Sequence, residues 1–369
     1  MGKEKYRVAI LGATGAVGTR MIQQLEQSTI PVGEIRLLAS ARSAGKTLSF
    51  NGKSIVVEEA RPESFDGIDL VLASAGGSIS ARLLPEAVKR GAVCVDNTSY
   101  FRMNDQVPLV VPEVNEKDLA WHHGIIANPN CSTIQMVMAL EPVRQKYGLT
   151  RVIVSTYQAA GGAGQSAIDE LEAESQAYLN RDSEKVTPAI LPVKGDTHHY
   201  QLAFNLLPQI DVFEADGYTH EEWKMIHETK KIMLGDKNSP EIKVTATCVR
   251  VPVSVGHGES VWFEVADQQK PTIAQLHQSM AAFPGLVVVD DPASQLYPQP
   301  KTAEGRRETF VGRVRPDLET PGAYNLWVVA DNLLKGAAWN SVQIAERLVA
   351  DDLVRVPEGS AALFATATE

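Results

Sequence analysis

Apolar residues in the first third of the chain fall into short runs separated by stretches with helical spacing. Tyr6–Leu11, Ile35–Ala39, Leu70–Ala73, Ala92–Asp96 and Gly124–Ala127 are each of strand length and predict a series of strands. Between the first two runs, Val17, Met21, Ile22 and Leu25 recur at three- and four-residue intervals, which predicts a helix over Ala16–Gln27 laid on a sheet. A second helix is expected over Ser80–Arg90, broken or kinked by Pro85 before Gly91 stops it. Alternating strands and helices build a parallel sheet from βαβ units, so this part reads as a Rossmann-type α/β domain.

Beyond Pro129 the pattern changes. Longer β-rich runs at Arg151–Tyr157, Lys243–Val253, Ser260–Val265 and Tyr324–Ala330 are separated by helices and a wide polar insertion, predicting an α+β domain with a mixed, largely antiparallel sheet. Asp216–Leu234 reads as a helix start followed by a charged amphipathic helix, and Ala337–Val349 as a final helix. The domains are therefore placed at 1–129, completed by a C-terminal helix within 335–369, and at 130–334. Ser360–Glu369 is rich in small residues and is expected to fray.

A chain of 369 residues exceeds what one core usually supports, which agrees with two domains. The net charge of -10 disfavours nonspecific binding to nucleic acid or anionic membranes. Three cysteines, Cys94, Cys131 and Cys248, are too few for a disulfide framework or a four-cysteine zinc site, and point to a reducing compartment. With no signal peptide and no membrane-length apolar segment, a cytoplasmic location is expected.

Candidate chemistry begins at Gly12-Ala-Thr14-Gly15-Ala16-Val17-Gly18, between a predicted strand and a predicted helix. Backbone N–H groups at such a junction can face a pyrophosphate, and the helix dipole favours the anion. The second strand ends in Ser40-Ala-Arg42-Ser43 with no carboxylate to hold a ribose 2′-hydroxyl. Its hydroxyls and guanidinium suit a 2′-phosphate, so NADP(H) is expected over NAD.

Asn128-Pro-Asn130-Cys131-Ser-Thr133 lies where a strand gives way to an apolar-striped helix. A thiol at a helix N-terminus has its thiolate favoured, as attack on an aldehyde near neutral pH requires. Cys94 and Cys248, inside apolar runs, read as buried small hydrophobes. His257, in Arg250-Val-Pro-Val-Ser-Val-Gly-His257-Gly, is placed just past a strand in a glycine-flanked turn that leaves it accessible. Its imidazole is suited to take the thiol proton and manage protons during acyl transfer. The pairs His122-His123 and His198-His199 lack metal-ligand partners in sequence, so they are expected at the surface and no metal is expected.

These segments, with Ser99-Tyr-Phe-Arg102, Ser155-Thr-Tyr-Gln158, Glu221-Glu-Trp-Lys224 and Asp331-Asn332-Leu-Leu-Lys-Gly336, resemble the aspartate-semialdehyde dehydrogenase family in order and spacing along nearly the whole chain. The resemblance implies a Rossmann-type NADP-binding domain and a catalytic and dimerisation domain, in a homodimer or dimer of dimers. The implied reaction is reversible reduction of aspartyl 4-phosphate by NADPH to aspartate semialdehyde and phosphate through a cysteine thioester, on the route to lysine, threonine, methionine and isoleucine. It further implies Cys131 as nucleophile, His257 as acid/base and Gln158 as a positioning group. Arg250 would hold the substrate carboxylate, Glu221 the amine, and Arg102 with Lys224 the phosphate. Gly12, Thr14, Gly15, Ala16, Val17, Ser40, Arg42, Ser43, Gly161, Gly162 and Asn332 would hold the cofactor.

Ala159-Ala160 stands where the family commonly has a serine before the glycine-rich turn, and Asn332 where other members carry glutamine. Two other readings fit part of the pattern: a reductase of N-acetyl-gamma-glutamyl phosphate, and a catalytically silent NADP-binding homologue. Glu221 with Arg250 favours a free amino acid over an acetylated one, and the retained cysteine, histidine and arginines favour catalysis.

Overall fold

The structure, a computed structural model, describes residues 3–266 and 270–364. The chain divides into two compact units, Met1–Pro129 with Ala337–Glu369, and Asn130–Gly336.

The first unit is a seven-stranded sheet of β1 (Tyr6–Leu11), β2 (Val32–Ala39), β3 (Thr47–Phe50), β4 (Lys53–Glu59), β5 (Leu70–Ala73), β6 (Val93–Asp96) and β7 (Ile125–Ala127), in the order β3-β4-β2-β1-β5-β6-β7. Every neighbouring pair is parallel except β3 with β4. The strand order reverses between β1 and β5, the switch point at whose C-terminal edge ligands of such sheets bind. The β3–β4 hairpin is absent from the sequence reading, although its turn, Asn51-Gly52, is a strong hairpin signal. Helix α1 (Ala16–Glu26) packs Met21, Ile22 and Leu25 into the same core as Val8, Ile10, Leu37 and Leu72. Val342, Ala345 and Leu348 of the C-terminal helix, Trp339–Ala350, also enter that core. Each of the Val, Ile, Leu and Met side chains among them contributes roughly 1.5–3 kcal/mol on burial.

Helix α2 (Gly77–Lys89) runs through Pro85, against the expected break. Leu83, Leu84, Pro85 and Val88 are all buried, and that packing outweighs the one backbone bond proline removes. At the chain end, Ser360–Leu363 is a helical turn and Phe364 meets Phe101 edge to face, so these residues are packed rather than frayed. The rest of the tail expected to fray, 365–369, lies outside the described residues.

The second unit holds β8 (Arg151–Gln158), β9 (Lys243–Arg250), β10 (His257–Glu264), β11 (Leu286–Val288), β12 (Thr309–Pro316) and β13 (Ala323–Ala330), ordered β11-β12-β13-β10-β8-β9. Its outer pairs, β11–β12 and β8–β9, are parallel and the inner ones antiparallel. Helix α3 (Cys131–Tyr147) is buried on nearly every side, as a helix against a sheet and flanked by others must be. Helix α4 (Gln165–Leu179) anchors the polar insertion through Glu174, which accepts the amides of Leu202 and Ala203. Helices α5 (His220–Leu234) and α6 (Ile273–Ala281) complete the unit. On β8 every second residue is buried, while Ile153 and Tyr157 lie on an exposed face.

Candidate active site

One end of the second unit's sheet collects the chemistry. Strands β8 and β9 finish in register at Gln158 and Arg250, and β10 begins with His257, paired to Ala330 at the end of β13. The two-residue period of the strands turns Gln158, Arg250 and His257 to the buried side. Helix α3 starts at this end with Cys131, half-buried, as its first residue. Asn130 caps the helix: its side-chain oxygen accepts from the amides of Ser132 at 2.9 Å and Thr133 at 3.3 Å. Those two first-turn donors are thus engaged by the cap, and the helix start favours a thiolate at Cys131 by its dipole.

Cys131 Sγ lies 3.2 Å from His257 Nε2. One expectation about this histidine is corrected. It opens a strand and is fully buried, not accessible in a turn, because its strand pairs on both sides. Its Nδ1 accepts the Ala159 amide at 3.0 Å, so the neutral ring carries its hydrogen on Nε2. In that tautomer the imidazole Nε2–H faces the sulfur. Burial, reinforced by the Arg250 guanidinium and opposed by Glu221, lowers the His257 pKa to about 3, which keeps the ring neutral near pH 7.

Helix α5 carries the acidic part of the site. Thr219 and Glu222 form a capping box, and the second Glu222 oxygen accepts the Cys248 amide at 2.9 Å, which pins the helix start to β9. Glu221 is thereby turned inward. Its Oε1 accepts from Asn130 Nδ2 at 2.8 Å and Gln158 Nε2 at 3.0 Å, and Lys224 Nζ is 3.2 Å from Oε2. Burial alone would raise this carboxyl, but Lys224, the two amides and Arg250 together hold it at about 2. Lys224 also pairs with Asp211 at 2.8 Å. Gln158 accepts from Thr156 at its other end, so it is a link in this network. Arg250 donates from Nη1 to Ala159 O at 2.7 Å, while its buried Nε has no acceptor.

The remaining expected residues fall as follows. Asn332 accepts the Gly256 amide at 2.9 Å and keeps a buried Nδ2 without an acceptor. The Gly161 and Gly162 amides donate to the Ser254 and Ala159 oxygens. A Cβ built on Gly162 would stand 2.9 Å from Arg250 Nη1 and 3.4 Å from His257 Cε1, so this turn borders those two side chains.

In the first unit, Gly12 has φ +88° and any Cβ there would lie 2.4 Å from Ser74 O, at the switch point between β1 and β5. Gly15, the N-cap of α1, gives it no side-chain cap, so the first-turn donors of Ala16 and Val17 meet no capping side chain. Thr14 donates to Ser43 at 3.4 Å, joining the loops after β1 and β2. Ser43 is buried, whereas Ser40 and Arg42 are exposed at the end of β2. An uncapped helix start and a close-packed glycine turn fit a nicotinamide dinucleotide. Arg102 is buried and donates to Asn128 O at 2.9 Å and Asn97 O at 3.0 Å.

Among the described residues no group of His, Cys, Asp and Glu is arranged to hold a metal. His122 is not at the surface: it is buried, with Nε2 against Leu353 O at 3.0 Å and Nδ1 accepting the Gly124 amide. Cys94 and Cys248 are buried and burial raises both thiols well above their usual value. No described helix is long and apolar enough to cross a membrane.

Several supporting residues escaped the sequence reading. Glu228, fully buried, accepts the Asn130 amide at 2.7 Å and so holds the residue before the nucleophile. Its signal was its spacing, seven after Glu221 and four after Lys224 on one helix face. Asp211 and the Ala159 amide had no signal in spacing.

A dinucleotide-binding fold in one unit and a helix-start thiol beside a neutral imidazole in the other define a cysteine-dependent nicotinamide oxidoreductase acting on an aldehyde group. Residues 7–122 match the family model for the NAD binding domain of semialdehyde dehydrogenases, and 140–335 that for their dimerisation domain. The aspartate-semialdehyde dehydrogenase of Bacillus subtilis (strain 168) is 56% identical over 94% of this chain and 98% of its own. The crystal structure of aspartate semialdehyde dehydrogenase II from Vibrio cholerae, complexed with ASA, is 44% identical, covers 95% of this chain and 99% of its own, and has a TM-score of 0.86. That of aspartate semialdehyde dehydrogenase with NADP from Candida albicans is 25% identical, covers 95% and 99%, and has a TM-score of 0.73. The chain belongs to the aspartate-semialdehyde dehydrogenase family.

Proposed function

We propose that this enzyme interconverts L-aspartyl 4-phosphate and L-aspartate 4-semialdehyde with phosphate, using NADP(H), in the biosynthetic direction as a reduction. The observation that carries this is Cys131 at a helix start, 3.2 Å from a neutral imidazole, beside a buried Glu221 and Arg250. In the oxidative direction the Cys131 thiolate adds to the aldehyde carbon and the carbonyl oxygen becomes an alkoxide, with His257 Nε2–H positioned as a donor beside the sulfur. A nicotinamide cofactor, which Ser40, Arg42 and Asn332 would help to hold, would supply the hydride acceptor that oxidation to a thioester requires. Phosphate oxygen then attacks the thioester carbon and the C–S bond breaks, giving the acyl phosphate and returning the thiolate.

The charge inventory supports an α-amino acid. Arg250, with an unmet Nε donor, suits a carboxylate, and the depressed Glu221 stays ionised to receive an ammonium. Lys224 and Arg102 are the cations assigned to phosphate. Asn332 Nδ2, a buried donor lacking an acceptor, suits the carboxamide of a nicotinamide. Ser40 and Arg42 are assigned to the 2′-phosphate, with the Candida NADP complex as support. The apolar Ile153 and Tyr157 on the exposed sheet face support homodimerisation, and a cytoplasmic location is proposed for the enzyme.

The test follows NADPH formation from aspartate semialdehyde with and without phosphate. Turnover that needs phosphate, shows little response to NAD and vanishes in Cys131→Ser with NADP binding intact is the expected result. Wild-type turnover in C131S, or none with aspartate semialdehyde in the native enzyme, overturns the reading.

A further inference from the structure

Glu259 is two residues beyond His257 on β10 and points to the same buried side, where Val261 and Phe263 continue the strand's apolar face. It is fully buried and neither carboxyl oxygen has a hydrogen-bond partner. Gln135, one helical turn beyond Cys131 on α3, is likewise buried among Ile134, Met136 and Val137. Its Nε2 donates to the carbonyl oxygen of His257 at 3.5 Å, and its Oε1 has no donor. Two polar side chains thus occupy apolar positions, each one structural repeat behind a member of the Cys131–His257 pair.

An ionised carboxylate without a donor or cation costs several kcal/mol in such a place. Of the groups facing Glu259, only the Gln135 carboxamide from α3 eases a charge there; Glu221 from α5 is negative, Cys248 on β9 is a thiol, and Thr156 opposite it on β8 gives its hydroxyl to Gln158. Burial outweighs the Gln135 contact and pushes the carboxyl well above the usual range, and the negative Glu221 adds to this. A neutral carboxylic acid has one O–H to give, and Gln135 Oε1 is the neighbouring acceptor that lacks a donor.

We infer that Glu259 is a positioning residue that works as a neutral acid: its O–H fixes the Gln135 carboxamide, which in turn holds the His257 main chain against Cys131. This rests on Cys131 being the nucleophile. The charge of Glu259 has no part in it, so an isosteric amide should serve as well as the acid.

The test uses full-length Glu259→Gln, Glu259→Leu and Gln135→Leu. Infrared difference spectra of wild type minus E259Q near neutral pH are expected to show the carbonyl stretch of a protonated carboxylic acid. E259Q should keep kcat and the rate of Cys131 alkylation by iodoacetamide within about twofold of wild type. E259L, which removes the bond from Glu259 to Gln135, and Q135L, which removes that bond and the one to His257, should lower both by roughly fivefold to tenfold with KM within about twofold. The double variant should be no worse than either single one. The inference is overturned by a missing protonated-acid band, by wild-type rates in E259L, or by E259Q as impaired as E259L. Should E259L fail to fold, Q135L reads the same link from the helix side. Spectra and alkylation require no aspartate semialdehyde, so failure of the proposed substrate is distinguishable from failure of this inference.

Discussion

His257 shows how far a residue's chemistry depends on what surrounds it. The sequence marks it as a proton carrier because imidazole titrates near neutral pH, and only the Ala159 amide and complete burial reveal a ring held neutral with its hydrogen toward sulfur. No spacing rule announces that amide, which comes from a strand end about a hundred residues away in sequence. The sign of the stability effect follows. A histidine whose pKa is about 3 in the fold and near 6.5 when unfolded binds fewer protons in the native state between those values. Its contribution is complete above the unfolded value and is lost as pH falls toward 3; Glu221, held at about 2, adds a loss in the same direction below 4.5. The urea midpoint of wild type is therefore expected to fall between about pH 7 and pH 5, with a smaller fall in His257→Gln. Parallel falls in both proteins would show that His257 does not titrate in that interval.

Elements were legible where one periodicity dominated. Strands β1 and β5 have the boundaries their apolar runs predicted, whereas β12 was missed because Gly312, Arg313, Arg315 and Pro316 interrupt its run and β13 supplies its order. The π-helical turn Leu334–Ala338 was also beyond sequence reading. It is closely packed: a Cβ on Gly336 would stand 2.6 Å from Cys131 Cβ, so only glycine lets this turn lie against Cys131. Gly336→Ala is expected to displace either the turn or the thiol and to lower kcat at least about tenfold, with a circular-dichroism spectrum like that of wild type. Unchanged steady-state rates would mean that the turn gives way without moving Cys131.

At the scale of the molecule, alternation on β8 identifies a buried face and leaves Ile153 and Tyr157 exposed on the other, a side a monomer would cover with polar residues. Ile153→Glu should convert dimer to monomer in light scattering coupled to size exclusion, and a mass equal to that of wild type would move the proposed interface elsewhere. The site carries a further consequence for the fold that holds it. Arg250 Nε and Asn332 Nδ2 are buried donors without acceptors, and each such group costs roughly 1–3 kcal/mol of native stability. Both groups are the ones proposed above to recognise substrate and cofactor, and the fold bears this cost at them. A search for thermostable variants will be drawn to these two positions, where apolar replacements relieve unmet donors, and will harvest hardy proteins that have stopped being enzymes.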